Sequence, residues 1–207
     1  MAAALCYDAS MTCKELVLAN RSYRRFDGTH AIDGAVLREL VGLARTTPSG
    51  GNLQPLKYVL SCSAEGNALV YATLAWAAYL PDWKGPPVQE RPTGYVVMLR
   101  DLAVTGAAKI NAADIDVGIA AQTILLGAVE RGLGGCMFGS VRREELARRL
   151  GLPDTLAIAL VIALGKPVEK VVLDGLAPGG SVKYWREPDG THHVPKRGLD
   201  ELIVKEI

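Results

Sequence analysis

The sequence has 207 residues, of which 49% are hydrophobic, so it is long enough to form one globular domain with a sizeable core. Its 23 Lys and Arg and 22 Asp and Glu leave a formal net charge of +1, which argues against a broad surface for nucleic acid or anionic membrane and requires any phosphate site to be local. Four cysteines without C-x-x-C spacing and no signal-like N-terminus predict reduced thiols, no structural metal and a cytoplasmic location.

Two helices are predicted in the first 48 residues. Thr12 and Glu15 have the spacing of a capping box, in which two free backbone donors of a helix start are satisfied, so a short helix should begin there and end near Asn20. After Asp33, apolar residues recur at helical spacing until Pro48 stops the pattern. The sequence therefore predicts a second helix, with one apolar stripe facing the core.

Three arginines lie between these helices, in the stretch NRSYRRFDGTH. Arg21 and Arg24 are three residues apart, and Ser22 adds a hydroxyl, so the three groups can converge on one phosphate dianion. A solvated charge cluster on the surface is the alternative interpretation. Near the C-terminus, Lys196 and Arg197 supply further cations that could close on the same phosphate.

A loop with the sequence TTPSGGNLQPLKY follows the second helix. Its glycines, serine and prolines are typical of a polar turn. However, Asn52 and Gln54 each carry one acceptor and two donors, which suit a planar ligand rich in heteroatoms. From these residues alone, both interpretations of the loop remain open.

The remaining elements alternate between strands and helices. Strands are predicted at KYVLSC, GYVVMLR, CMF and the buried run LAIALVIAL at 156–164, which is far shorter than the roughly 20 residues of a membrane span. Helices are predicted at NALVYATLAWAAYL, at DIDVGIAAQTILLGAVERGLGG and, capped by Ser140, at RREELARRL. With a proline-rich segment at 76–92 and an extended arm at about 165–207, the chain is predicted to be a single domain over 1–207.

Several motifs are excluded by their context. The glycines of ERGLGGCMFGS follow a helix and precede a strand, which reverses the order of a dinucleotide-binding loop, and GLAPGGSVK has serine where a P-loop requires lysine. Adjacent His192 and His193 should point to opposite sides of an extended surface tail, so a shared metal site is not predicted, nor is a hydrolytic triad. Cys136 is predicted to be a small buried residue.

Four segments occur in the order and at the spacings found in the flavin-dependent nitroreductase family: RSYRRF, PSGGNLQP, GLGGCMFGS and VPKRGLDEL. The chain therefore resembles that family over about residues 12–205. The resemblance implies an α+β fold in which a central mixed β-sheet is flanked by helices. It also implies an intertwined homodimer with one FMN at each of two sites on the dimer interface.

The resemblance assigns roles to particular residues. It implies that the cofactor-binding groups of one subunit are Arg21, Ser22 and Arg24, and that the other subunit contributes Pro48, Ser49, Asn52 and Gln54. Arg24 would compensate charge at N1 and O2 of the flavin, and Arg21, Lys196 and Arg197 would hold the phosphate. Backbone N–H groups around Phe138 and Gly139 would lie near N5, which carries the chemistry without a catalytic acid or base from the protein.

The function implied by the resemblance is an FMN-dependent oxidoreductase. It would take a hydride from NADH or NADPH and reduce nitroaromatic, quinone or similar flat acceptors by a ping-pong mechanism, with no nucleic-acid or membrane partner. At Asn20 and Phe138 the sequence departs from the better-known members of the family, and these departures concern which substrate is reduced. Tyr79 and Trp83 would either line the flavin face on which the substrate stacks or pack in a core or lid. The alternatives are a flavin storage or sensor protein with little turnover and an interaction domain without cofactor.

Overall fold

A computed structural model describes residues 11–105 and 110–207, and for residues 110–112 only the backbone; Cys6 lies outside these ranges. The helices are α1 (Cys13–Ala19), α2 (Gly34–Ala44), α3 (Ala64–Tyr71), α4 (Leu102–Thr105), α5 (Ile110–Glu130), α6 (Arg143–Leu150) and α7 (Leu199–Leu202). The strands are β1 (Leu56–Ser61), β2 (Gly94–Asp101), β3 (Gly134–Phe138), β4 (Leu156–Gly165), β5 (Val171–Gly175), β6 (Trp185–Arg186) and β7 (His192–Lys196). None of the helices in the described part is long and apolar enough to traverse a bilayer.

The main sheet has the strand order β1-β2-β4-β3, and each neighbouring pair is antiparallel. A mixed sheet was expected, that is, one with both parallel and antiparallel pairing. Within the described ranges, the only parallel pairing with this sheet is at its β3 edge, where Ser22 forms an isolated parallel bridge to Gly135. A second sheet has the order β5-β7-β6, with β5 parallel and β6 antiparallel to β7. The fold is α+β, as predicted.

The core lies on both faces of the main sheet, because successive side chains of a strand point to opposite sides. Val96 and Met98 of β2 pack on one face with α2 and α5, whereas Tyr95, Val97 and Leu99 pack on the other face with α3 and α6. This arrangement buries α5 along one side. Its opposite side is exposed, and Ile115, Gly118, Ile119 and Gln122 lie there.

Most sequence predictions of local structure are confirmed. The Thr12–Glu15 capping box is present and α1 ends at Ala19, with Asn20 as its C-cap. Asp33 caps α2 by accepting a hydrogen bond from the backbone N–H of Ala35. The predicted strands correspond to β1–β4, and the long apolar helix corresponds to α5.

Two local predictions are wrong. The helix predicted for residues 67–80 ends at Tyr71, because the chain beyond it bonds instead to the strand-to-helix turn after β3: Ala75 N–H donates to the Ser140 carbonyl, and Leu74 bridges Val141. Ser140 does not cap the next helix, because that helix begins at Arg143 with Arg142 at its N-cap position and has no side-chain cap.

Candidate functional site

The arginine turn, residues 20–25, is positioned by a close approach to β3. Tyr23 N–H donates to the Gly135 carbonyl at 3.0 Å, beside the bridge between Ser22 and Gly135. A Cβ atom at Gly134 would lie 2.5 Å from the Tyr23 ring, and one at Gly135 would lie 2.6 Å from the Ala163 carbonyl oxygen. The glycine pair thus lets the arginine turn pack directly on the strand, which is a structural role and not a phosphate loop.

A cavity of about 460 Å³ opens beside the arginine turn, and we call it the cationic cavity. Its walls are formed by Val17, Asn20, Arg21, Ser22, Arg24, Gln122, Leu125, Met137, Val171, Leu173, Tyr184, His192, Val194 and Lys196. Three of these residues are cationic, and none of the lining residues in the described part carries a carboxylate. The cavity therefore has the charge of an anion site.

The two arginines of this cavity have no carboxylate partner among the described residues. Arg21 donates to the Val17 carbonyl, while its Nε is buried without a hydrogen-bond partner. The Arg24 guanidinium lies 4.8 Å from the centroid of the Tyr184 ring, and its Nη1 lies 3.2 Å from His192 Nε2. Because these neighbours are uncharged, both cations remain available to an anionic ligand.

Glu169 fixes the backbone of the arginine turn from a position outside the cationic cavity. Its carboxylate has no exposed area and accepts hydrogen bonds from the backbone N–H groups of Arg24 and Arg25 and from Arg186 Nη2. Burial lowers the pKa of Arg186, and its guanidinium packs on the Trp83 ring with 4.6 Å to the centroid. The backbone of the cationic turn is thus fixed by a buried anion that does not line the cavity.

A smaller cavity of about 160 Å³ adjoins the first, and we call it the alanine cavity. It is lined by Arg24, Ala75, Ala77, Ala78, Cys136, Met137, Phe138, Gly139, Ser140 and Tyr184. The Phe138 ring is fixed by an edge-on contact with Trp76, at 4.6 Å between centroids. Cys136 is buried as predicted, and burial raises the pKa of its thiol to about 11, so it is not a thiolate nucleophile at neutral pH.

The PSGGNLQP loop is fixed by Asp116, a buried residue of α5. Asp116 accepts hydrogen bonds from the Ser49 hydroxyl at 2.7 Å and the Gly50 N–H at 3.0 Å, and the Ser49 hydroxyl accepts from the Gln54 N–H at 3.0 Å. Asn52 and Gln54 both have positive φ, at 54° and 50°, a conformation that is uncommon for residues other than glycine. Asp116 and Ser49 thus attach the loop to α5.

The predicted site residues fall into two groups in one chain. Arg21, Ser22, Arg24 and Lys196 line the cationic cavity, and Phe138 and Gly139 line the adjoining alanine cavity. Pro48, Ser49 and Gln54 line a separate cavity of about 300 Å³, which shares no residue with the other two; Asn52 lies on the same loop, where its amide oxygen accepts from Gln54. Arg197 lines none of the three cavities and pairs with Glu201.

Four residues of the site were missed by the sequence analysis: Asp116, Glu169, Tyr184 and His192. His192 has no exposed area, so its expected setting in a surface tail is wrong, although it does point away from His193, which bonds Asp174. The one available signal for Asp116 was the pair of Asp residues, Asp114 and Asp116, at the start of an otherwise apolar stretch of helix. Tyr79 packs on Tyr184 and Trp83 packs on Arg186, and neither lines any of the three cavities described above.

Comparison with known proteins gives a consistent result. The profile of the Nitroreductase family matches residues 17–166. A Bacillus subtilis (strain 168) protein, "Putative NAD(P)H nitroreductase YodC", is 21% identical over 196 residues, covering 83% of this chain and 97% of its own.

Two solved structures share the fold. A nitroreductase family protein of Clostridium difficile 630 has a TM-score of 0.67 at 18% identity, with 95% of this chain and 99% of that chain covered. A protein from Desulfovibrio desulfuricans, solved in complex with FMN, has a TM-score of 0.67 at 20% identity, with 94% and 96% covered.

Proposed function

The chain belongs to the nitroreductase family, and from this premise we propose that it is an FMN-dependent NAD(P)H oxidoreductase. Its acceptors would be nitroaromatics, quinones or similar flat molecules, reduced by a ping-pong mechanism. The FMN bound to the D. desulfuricans structure and the activity named for the B. subtilis relative support this proposal. A cytoplasmic location stays a prediction.

The observation that carries the proposal is the fit of the cationic cavity to a phosphate. Arg21, Arg24 and Lys196 line it without an opposing carboxylate in the described part, and the buried Arg21 Nε lacks a partner. An unpaired buried donor is costly, and a phosphate oxygen is an acceptor that would satisfy it. The residues present therefore fit the phosphate end of FMN.

The other residues suit the ring end. Arg24 lines both the cationic and the alanine cavity, so a ligand whose phosphate binds beside Arg21 would extend past Arg24 toward Phe138 and Gly139. A Cβ at Gly139 would meet nothing within 4 Å, so the backbone there is open to close approach. When bound, FMN supplies the hydride chemistry; the chain contributes the Arg24 charge near N1 and O2, orientation and exclusion of water.

We further propose that the PSGGNLQP loop serves the flavin of a second subunit in a homodimer, the two chains remaining single domains with C-terminal arms. The separation of the loop from the cationic cavity within one chain supports this arrangement. The exposed apolar side chains of Ile115 and Ile119 on α5 offer a surface for the partner, because such residues in a row favour association. Asn52 and Gln54 would then contact the flavin ring from the other subunit. Arg197 would contact the phosphate only if its ion pair with Glu201 were broken.

The visible absorption spectrum of the purified protein tests the proposal. We expect flavin bands near a 1:1 ratio with the chain after reconstitution with FMN, and loss of those bands on addition of NADPH or NADH without oxygen. Absence of bound flavin would contradict the proposal. Bands that do not bleach would favour the second candidate, a flavin storage or sensor protein, for which the small volume of the alanine cavity is the supporting observation.

A further inference from the structure

Arg143, the first residue of α6, binds the chain at the point where β3 leaves the main sheet. β3 pairs with β4 as far as its last residue. Beyond that point, Nη2 of Arg143 donates to the Gly139 carbonyl at 2.8 Å. The same guanidinium donates to two carbonyls of β4, those of Ile158 at 3.1 Å and Ala159 at 3.2 Å. One side chain therefore connects the segment after β3 to β4 where the backbone pairing has ended.

A β-bulge at Ala159 makes these contacts possible. Met98 of β2 is paired with Leu160. The next residue of β2 is paired with Ile158, so Ala159 is the extra residue of a bulge on β4. In a regular strand, two successive carbonyls point to opposite edges. Because the bulge interrupts this alternation, the carbonyls of Ile158 and Ala159 can both bond to one guanidinium.

The three carbonyls are the groups that hold the charge of Arg143 in place. A helix N-terminus carries a partial positive charge, so its first residue is an unfavourable position for a cation. Glu145 in the same turn pairs with Arg142 and Arg149, and no carboxylate in the described part of the chain forms an ion pair with Arg143. The carbonyl contacts thus compensate for a position that neither the helix nor an ion pair favours.

Arg143 also fixes the direction of a backbone N–H group. The Gly139 carbonyl and the Ser140 N–H belong to one planar peptide and point in opposite directions. Both residues line the alanine cavity, and within the described ranges neither of their N–H groups donates to a protein group. A carbonyl that is bonded to a cation makes the N–H of its own peptide a stronger donor. The peptide after Gly139 is therefore a fixed donor beside the cavity, without an acceptor from the described protein.

We propose that Arg143 is a positioning residue for the flavin ring, which fixes the Gly139–Ser140 peptide so that a backbone N–H of this turn is available to N5. The inference rests on the proposed function, in which the ring binds beside Phe138 and Gly139. Arg143 lines neither the cationic nor the alanine cavity, so it acts through the peptide and not by contact with the cofactor. The bulge at Ala159 belongs to the same arrangement, since bulges next to active sites commonly reorient a group.

The test compares the wild type with Arg143→Met, which keeps a long side chain and removes its donors. Each protein is saturated with FMN labelled with ¹⁵N at N5, whose resonance reports a hydrogen bond accepted by that atom. In Arg143→Met we expect this resonance to move towards that of a flavin in aprotic solvent, and the Kd for FMN to rise about tenfold, as for one lost hydrogen bond. The ³¹P resonance of the same bound FMN should not move, because the phosphate is proposed to bind at Arg21, far from this peptide.

Arg148→Met is the matched control, because Arg148 is an exposed residue of the same helix. Neither resonance nor the Kd should change in this variant. Arg143→Lys keeps the charge but cannot bond to three carbonyls at once, so its N5 resonance should lie between those of the wild type and Arg143→Met. If Arg143→Met does not fold, Arg143→Lys decides by the same measurements.

Each outcome decides the proposal. An N5 resonance of Arg143→Met at the wild-type position would overturn the positioning role even if the free energy of unfolding falls, since a purely structural residue would leave the bond to saturating FMN unaltered. An equal N5 shift in Arg148→Met, or a wild-type N5 without a hydrogen bond, would overturn it too and leave FMN binding intact. A wild-type protein that binds no FMN would overturn both this inference and the proposed function.

Discussion

Arg24 donates a hydrogen bond to His192, with 3.2 Å between the guanidinium Nη1 and the imidazole Nε2. A guanidinium has donors only, so Nε2 must be the unprotonated nitrogen and the neutral ring carries its proton on Nδ1. Burial, followed by the charges of Arg24, Arg186 and His193, lowers the pKa of His192 to about 4. The imidazole is therefore neutral at physiological pH, and Arg24 keeps its full charge for a ligand.

We predict that His192 makes stability depend on pH between about 6.5 and 4, the unperturbed and folded-state pKa values. Because the folded-state pKa is the lower one, the unfolded chain takes up the proton first as pH falls. The free energy of unfolding should therefore fall through this window, with a total loss of about 3 kcal/mol once pH is below 4. Urea unfolding at a series of pH values measures the loss.

Carboxylates also titrate in this range, so the comparison is with His192→Gln, whose amide oxygen can still accept from Arg24. Its stability should depend less steeply on pH than that of the wild type, and the difference is the contribution of His192. Identical pH profiles for the two proteins would show that His192 is not buried as a neutral ring.

A second prediction concerns Asp116. Asp116→Ala leaves the Ser49 hydroxyl and the Gly50 N–H without their acceptor, and we expect the free energy of unfolding to fall by about 1–3 kcal/mol. FMN occupancy should fall as well, because the loop that carries Asn52 and Gln54 loses its attachment to α5. Glu130→Ala on the same helix is the control, since Glu130 forms only an exposed pair with Arg131, which contributes little. Unchanged FMN occupancy in Asp116→Ala would show that the attachment of the loop to α5 is not needed for cofactor binding.

Sequence periodicity was sufficient for the elements whose signals are local. The capping box at Thr12 and the apolar stripe after Asp33 each specify a helix through residues a few positions apart, and both helices form as predicted. The helix predicted for 67–80 failed because its second half is held by backbone contacts with Ser140 and Val141, about 65 residues away in the chain, which no local pattern encodes.

The residues of the candidate site show the same difference between local and long-range signals. Arg21 and Arg24 could be assigned to one ligand because both lie within a single turn of chain and carry charges that attract phosphate. Glu169 and His192 could not, because each contacts Arg24 across more than 140 residues of sequence. Their residue types are compatible with an exposed tail, and only the folding of the C-terminal segment brings them next to the arginine turn.

A third prediction separates the two arginines. Arg24→Ala should weaken FMN binding and lower the midpoint potential of bound FMN by about 30–60 mV, the equivalent of losing a charged hydrogen bond of about 1.5–3 kcal/mol from the reduced form. Arg21→Ala should raise the Kd for FMN by about 10- to 100-fold with little change in potential, because a phosphate contact is remote from the ring electrons. Redox titration of the reconstituted proteins measures both effects. A normal potential and normal occupancy in Arg24→Ala would remove Arg24 from this role.

A fourth prediction tests whether the loop acts in trans. Mixed dimers that carry Arg21→Ala on one chain and Asn52→Ala on the other should contain one intact site and one doubly damaged site, provided that each flavin is held by the arginine turn of one chain and the loop of its partner. FMN titration should then give half-normal occupancy at wild-type affinity. Two equal sites of reduced affinity would instead mean that both residues serve the flavin of their own chain.

The last prediction is that the nicotinamide and the acceptor use the site in turn. The alanine cavity, where the flavin ring is proposed to bind beside Phe138 and Gly139, has a volume of only about 160 Å³, below the roughly 300–1,000 Å³ of pockets that hold a drug-sized ligand, so with the flavin ring bound we expect room for only one flat substrate on that ring at a time. Double-reciprocal plots for NADPH and a quinone should therefore be parallel, as they are when the first product leaves a modified enzyme before the second substrate reacts. Converging lines would mean that both substrates bind together, which would reject the shared cavity and leave FMN binding untouched. If dissolved oxygen reoxidises the reduced flavin faster than any flat acceptor does, the result would instead favour a storage or sensor protein.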